Sequence, residues 1–234
     1  MKGKVKKETR RQADLAHKSS KFGEAKPKVL YNLMSFTSGG PINMLVSVII
    51  PTYNSVRVLK KTLPAILQQK TEGRFKFEII LINDGSTDDT ASWLSSQQEP
   101  NLRVMTLATN QGRSVARNAG FRASKGDVIV FMDGDVIACP ELLLQHVNTL
   151  DITDASEPPK RVSSGRLINT YNLDSPFDEE YKLSDFSAAH FATGNTAVHR
   201  YFLEQVQEDE NGPFDQINFS VYGWEDLELG VRLD

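Results

Sequence analysis

The sequence predicts an α/β fold on a mixed, mostly parallel sheet. Two observations carry that prediction. Short runs rich in β-branched residues alternate with segments of helical spacing, and each run ends in a polar turn. The first run, 45–50, is almost wholly apolar, as a strand buried on both faces must be, and Pro51 is expected to stop it. Over 56–69 Leu59, Leu63, Ile66 and Leu67 share a helical face, and Pro64 inside that segment predicts a kink or two abutting helical turns. A second strand follows over 77–82. Ser86 then reads as a helix N-cap, with Asp89 at the capping-box position and Trp93 as a core residue of that helix. A strand over 102–107, a helix over 112–123, a strand over 128–132 and a helix from Pro140 to about Leu150 complete the regular part. Beyond it the pattern weakens to a polar loop over 151–160, a strand over 161–168 and an irregular stretch to Ala189. An extended segment over 191–199, a helix over 200–206 and a last helix opening near Glu225 follow. Right-handed crossovers would put helices on both faces of the sheet.

Charge divides the chain. Residues 1–28 carry ten Lys/Arg against three Asp/Glu, and the rest carries 17 against 27. Residues 1–44 therefore read as a basic, disordered arm and linker ending in the breaker cluster Ser38-Gly39-Gly40-Pro41, and 45–234 as one domain. Solvated tail is the simpler reading of the arm; contact with anionic headgroups or a partner is the functional one. One cysteine, Cys139, excludes an internal disulfide and a thiolate zinc site. With no apolar run near the ~20 residues of a membrane span, and no signal-peptide stretch, a cytoplasmic location, peripheral to a membrane at most, is expected.

Ligands of open α/β sheets bind beyond the carboxyl ends of the strands. Four polar loops fall there: Pro51-Thr52-Tyr53-Asn54, Asn83-Asp84-Gly85-Ser86, Asn110-Gln111-Gly112-Arg113 and Asp133-Gly134-Asp135. The last is the central observation. A buried strand ending in two carboxylates presents hard oxygen donors, and Mg2+ or Mn2+ prefers one or two carboxylates plus phosphate oxygens. The competing reading of Asp-Gly-Asp is an ordinary turn. Asp84 stands where a carboxylate can accept a hydrogen bond from a base N–H; its alternative is helix-dipole stabilisation. Arg113 and Arg117 share a helix face and could meet phosphate or orient Asp84 or Asp133, with a buried structural ion pair favoured for Arg117. Glu225 and Asp226 open the last helix, where a carboxylate can act as general base or simply as an acidic helix start. Trp224 before them could stack on a sugar or form a hydrophobic staple. His17, His146, His190 and His199 show no ligand spacing and are assigned no catalysis; His199 is expected to be structural.

Six segments together resemble the inverting glycosyltransferases of family 2. They are Val46-Ser47-Val48-Ile49-Ile50-Pro51-Thr52-Tyr53-Asn54, Ile82-Asn83-Asp84-Gly85-Ser86-Thr87-Asp88, Asn110-Gln111-Gly112 with Ala116-Arg117-Asn118-Ala119-Gly120, Phe131-Met132-Asp133-Gly134-Asp135, Phe191-Ala192-Thr193-Gly194-Asn195 and Gly223-Trp224-Glu225-Asp226. The resemblance covers about 45–233. It implies the GT-A fold, a Rossmann-like three-layer sandwich, with a nucleotide half over 45–138 and an acceptor half over 139–234. It implies a uridine-diphosphate sugar donor, with Asp84 at the base and Thr52 and Tyr53 lining the nucleoside pocket. Asp133 would touch the ribose and the metal shell, and Asp135 the metal directly. Gly194 and Asn195 would border donor sugar and acceptor. Asp226 would be the base with Glu225 beside it, and the acceptor a glycan or lipid-linked hydroxyl. Relatives usually continue past Asp234, so the chain reads either as a fragment or as a minimal enzyme completed by a partner.

Two other readings compete with transfer. A non-catalytic nucleotide-sugar-binding subunit keeps the fold without turnover, against which stand both the aspartate pair and Asp226. A phosphatase of the haloacid dehalogenase type would place its aspartates after the first strand, where this chain has Pro51-Thr52-Tyr53-Asn54.

Overall fold

The computed structural model describes residues 44–150, 162–170, 174–175, 192–207, 210–219 and 223–233. All of them fall in one compact unit, Gly39–Asp234. The basic arm, the loop over 151–160, most of the irregular stretch to Ala189, and His17 and His190 lie outside the described residues.

Six strands form one sheet in the order β3-β2-β1-β4-β6-β5. They are β1 (Leu45–Thr52), β2 (Lys76–Asn83), β3 (Leu102–Thr106), β4 (Val128–Met132), β5 (Val162–Ser164) and β6 (Asn195–His199). The first four pair in parallel, while β6 runs antiparallel to both β4 and β5. The helices are α1 (Val56–Leu67), α2 (Thr90–Ser95), α3 (Arg113–Ala123), α4 (Leu142–Leu150), α5 (Arg200–Val206) and α6 (Glu225–Leu233).

Alternation along each strand sorts the core into two layers. Val46, Val48, Ile50, Ile79, Leu81, Val130 and Met132 meet Leu59, Leu63 and Ile66 of α1, Leu94 of α2, and Leu143 and Val147 of α4. Ile49, Ile80, Ile82, Ile129, Phe131 and Val198 meet Ala116 and Phe121 of α3, Leu203 of α5 and Leu229 of α6. The result is the expected three-layer sandwich. Trp93 is half-buried against the first layer, as its helical position predicts. Among the described residues, no helix is long and apolar enough to cross a membrane.

Three local expectations change. Pro51 does not end β1, which runs on to Thr52 opposite Asn83. Pairing of β1 with β4 stops at Ile49–Phe131, and the Thr52 carbonyl accepts from Asp84 N–H on the β2 side. Alternation turns the Pro51 nitrogen to the vacated side, where its missing N–H breaks no ladder bond. Helix α1 continues through Pro64 as one element and ends at Leu67. Ser86 caps no helix: α2 starts at Thr90, with Asp89 at the N-cap and no side-chain cap bond. The Ser86 hydroxyl instead accepts from Asn54 N–H at 2.9 Å, a bond between two loops that outcompetes the local cap.

Candidate active site

Hydrogen bonds stitch the loops after β1, β2 and β3 to one another at the carboxyl edge of the parallel strands. Asn54, at φ 48°, directs its side-chain oxygen at the backbone N–H groups of Thr87 and Asp88. That ties the loop after β1 to the loop after β2. Asp84 ties the loop after β2 to the loop after β3: its two carboxylate oxygens accept from Gln111 N–H at 2.8 Å and Gly112 N–H at 2.9 Å. Gly112 sits at φ 94°, open to glycine at little cost, and this lets its N–H face Asp84 before α3 begins. Asp84 is buried, and both oxygens are engaged with the Asn110-Gln111-Gly112 turn. Its first role in the fold is therefore to shape this loop. Asn110 and Arg113 are exposed at the same edge, and Tyr53 is exposed on the neighbouring loop.

Arg117 is the hub of the site. Packing of α3 against the sheet leaves its side chain only 1 % exposed. One guanidinium nitrogen donates to Asp133 at 2.8 Å; another faces Glu225 at 3.2 Å and Asp226 at 3.4 Å. The guanidinium carbon also lies 5.5 Å from the centre of the Phe214 ring, a cation–π contact. The ion pair expected for Arg117 thus forms with Asp133, not Asp84, and extends to the last helix. Three carboxylates around one buried cation leave an excess of negative charge at the sheet edge.

The carboxylates differ in access. Asp133 and Asp226 have side chains 28 % and 26 % exposed, whereas Glu225 has 6 %. Glu225 bonds Arg117 and accepts from Gly223 N–H at 3.1 Å. It stands beside Asp226 on the same Arg117 nitrogen, and its burial suits it to bracing Arg117. Asp135 is exposed, and the turn carrying it is pinned where Thr62 donates to the Gly134 carbonyl at 2.8 Å. Trp224 is 67 % exposed at φ 72°. A staple needs a packed ring, so that reading fails; a bulky residue held in the left-handed region stores strain of the kind that collects at functional sites.

Gly194 and Asn195 separate. A Cβ on Gly194 would stand 3.2 Å from an Asp133 carboxylate oxygen and 2.9 Å from the end of the Leu167 side chain, so a larger residue there would crowd both. The Gly194 carbonyl accepts from Asp133 N–H. Asn195 is buried on the opposite face of β6, where its side-chain oxygen meets His146 at 2.8 Å. The period-two alternation of a strand turns its side chain away from Asp133. His146, also bonded to Ser163, is pushed below the usual imidazole range by burial, with the Asn195 contact opposing. His199 accepts from Tyr201 N–H as the N-cap of α5, the structural part expected of it.

Thr193 is the residue the sequence did not single out. It is wholly buried, donating from its hydroxyl to Asp226 at 2.5 Å and from its N–H to the other Asp226 oxygen at 3.1 Å. Only its place between Ala192 and Gly194 in a shared segment could have marked it.

Orphaned polar atoms test whether the edge suits a ligand. Among the described residues, the Thr52 hydroxyl and the Asn83 amide nitrogen are buried without a partner, at the ends of β1 and β2. Buried polar groups are nearly always satisfied, and such exceptions mark a place for water or ligand. The Asp133–Asp135 pair offers oxygen donors only, which matches Mg2+ or Mn2+. Among the described residues, no three His, Cys, Asp or Glu side chains converge as a metal cage.

Sheet order and layering are those of a GT-A fold. The chain belongs to glycosyl transferase family 2, whose model matches residues 47–207. It is 26 % identical over 244 aligned residues to YfnE of Bacillus subtilis, an uncharacterized glycosyltransferase; the match covers 81 % of this chain and 60 % of that protein. It is 28 % identical to the validoxylamine A glucosyltransferase of Streptomyces hygroscopicus subsp. jinggangensis, over 81 % of this chain and 51 % of that protein. The chain thus spans little more than half the length of these relatives. The mannosyltransferase PcManGT of Pyrobaculum calidifontis, solved with GDP-Man and Mn2+, shares the fold at a TM-score of 0.54 and 19 % identity, over 86 % of this chain and 56 % of that one.

Proposed function

We propose that this domain catalyses inverting transfer of a sugar from a nucleoside-diphosphate donor, a uridine-diphosphate sugar, to a hydroxyl of a glycan or lipid-linked acceptor. The observation that carries the reading is the Arg117 hub. It holds Asp133, at the end of β4, and Asp226, at the start of α6, on one guanidinium. Asp133 belongs to the donor side and Asp226 to the acceptor side, so one buried cation sets their separation.

Thr52, Tyr53 and the Asp84-braced turn with Asn110 and Gly112 line the nucleoside side. Asp135 with Asp133 would hold a divalent cation, whose charge offsets that of the departing diphosphate. Asp226, partly open to the cleft at the N-terminus of α6, where negative charge is stabilised, takes the proton of the acceptor hydroxyl. The freed oxygen attacks the anomeric carbon as its bond to the diphosphate breaks, and the configuration inverts. Exposed Trp224 offers the acceptor sugar a stacking face. Arg113, at the first residue of α3, faces the same edge and suits a phosphate contact. The basic arm, with its ten Lys/Arg over 1–28, would favour an anionic membrane surface.

The same residues would also serve a subunit that binds nucleotide-sugar without turnover; release of nucleotide from a donor sugar in the presence of Mn2+ separates the two. The base is the other open choice, because a structural neighbour was solved with GDP-Man. Calorimetric titration with uridine and guanosine diphosphates in Mn2+ tests it. The expected result is at least ~10-fold tighter binding of the uridine form, since a site built around base hydrogen bonds discriminates strongly. Tighter binding of the guanosine form would overturn the uridine reading.

A further inference from the structure

We propose that Thr193 is a positioning residue for the transfer step, one that holds Asp226 with a single oxygen aimed at the acceptor. The inference rests on the reading of Asp226 as general base. Its grounds are geometric. The Thr193 hydroxyl donates to Asp226 Oδ1 at 2.5 Å, and the same oxygen faces Arg117 at 3.4 Å. Oδ2 accepts the Thr193 N–H at 3.1 Å. One oxygen is thereby engaged by two donors and the other by a single amide. A carboxylate oxygen has two lone pairs, so Oδ2 retains one for an acceptor hydroxyl. Thr193 is wholly buried, and the pair it forms with Asp226 is the only route by which its hydroxyl reaches the edge among the described contacts.

The next residue, Gly194, serves the second aspartate. Gly194 accepts from Asp133 N–H at 3.2 Å, and its missing Cβ lets the Asp133 carboxylate lie against it. Two consecutive residues therefore grip the two aspartates on which transfer depends, Thr193 the base and Gly194 the donor-side carboxylate. Because β6 begins at Asn195, paired with Met132 of β4, this grip is anchored to the sheet rather than to a loose loop. Arg117 makes the same connection through charge, and Thr193-Gly194 makes it through the backbone. During transfer the proton passes from the acceptor oxygen to Asp226 Oδ2. The oxygen–carbon bond forms, the carbon–diphosphate bond breaks, and its electron pair leaves with the diphosphate. Thr193 keeps its own proton throughout and only fixes the acceptor of the first one.

The test compares Thr193→Val, Thr193→Ser and Asp226→Asn, alone and with Thr193→Val added to Asp226→Asn. Turnover is read as nucleotide release from UDP-glucose and from GDP-mannose in Mn2+, and donor binding by calorimetry. Thr193→Val should lower kcat by about 10- to 100-fold, the scale of a misplaced catalytic group, with donor affinity unchanged within about twofold. Thr193→Ser, which keeps the hydroxyl, should restore most of the rate. In the Asp226→Asn background, Thr193→Val should cost little more. If Thr193→Val does not fold, Thr193→Ala takes its place. The proposal is overturned if the hydroxyl-free variant keeps wild-type kcat, if Thr193→Ser loses as much as Thr193→Val, or if the two losses multiply in the double variant. Should Asp226→Asn itself keep its rate, the general-base reading fails first and takes this proposal with it, a pattern distinct from the other three.

Discussion

Asp226→Asn is expected to lose about 10²- to 10⁴-fold in turnover, the usual worth of general-base catalysis, while donor affinity stays near that of the wild type. The asparagine keeps the size of the side chain and can still accept from Thr193, but it cannot take the acceptor proton. Glu225→Gln is the control. Glu225 is buried against Arg117 and Gly223, so its substitution should act on stability and leave the rate within a few-fold. Rates measured for both variants against melting temperature separate the roles. A Glu225→Gln variant that loses the rate while Asp226→Asn keeps it would reverse the assignment.

Arg117→Met should be the most destabilising single change at the site. Removing one partner of a buried ion pair typically costs about 3–5 kcal/mol, because the remaining charge stays buried without compensation. For a domain of this size that corresponds to a fall in melting temperature of roughly 10 °C. Asp133 and Asp226 are each about a quarter exposed and can recover hydration, whereas Glu225 cannot. Most of the loss is therefore assigned to Glu225, and Glu225→Gln added to Arg117→Met should recover a substantial part of it. Thermal melts of the two single variants and the double variant check this; full additivity would mean that Arg117 stabilises the fold by packing alone.

The strands were legible because parallel strands buried on both faces must be written as continuous apolar runs. The fourth strand spans 128–132 in the sequence pattern and Val128–Met132 in the structure. Convergence of the four loops followed from the direction of parallel strands alone. What local pattern could not show was competition between distant groups. Ser86 has the sequence context of an N-cap, but Asn54, 32 residues away, claims its hydroxyl. The bonds from Gln111 and Gly112 N–H to Asp84, 27 and 28 residues apart in the chain, were likewise not readable from local pattern. The partners of Arg117 lie 16, 108 and 109 residues away, so its burial was foreseeable from the alanines around it and its hub was not. Thr193 reaches Asp226 across 33 residues and carries no motif of its own.

In the proposed site, the carboxyl edge of the sheet would bind a nucleoside diphosphate through a divalent cation held by Asp135 with Asp133. Calorimetric titration of the chain with uridine and guanosine diphosphates, in Mn2+ and in excess chelator, for wild type and Asp135→Ala, tests it most directly. Binding to the wild type in Mn2+ is expected, lost in chelator and lost in Asp135→Ala, with an unchanged melting temperature for the variant, since Asp135 is exposed. Equal affinity in chelator and in Mn2+, for wild type and variant alike, would contradict it.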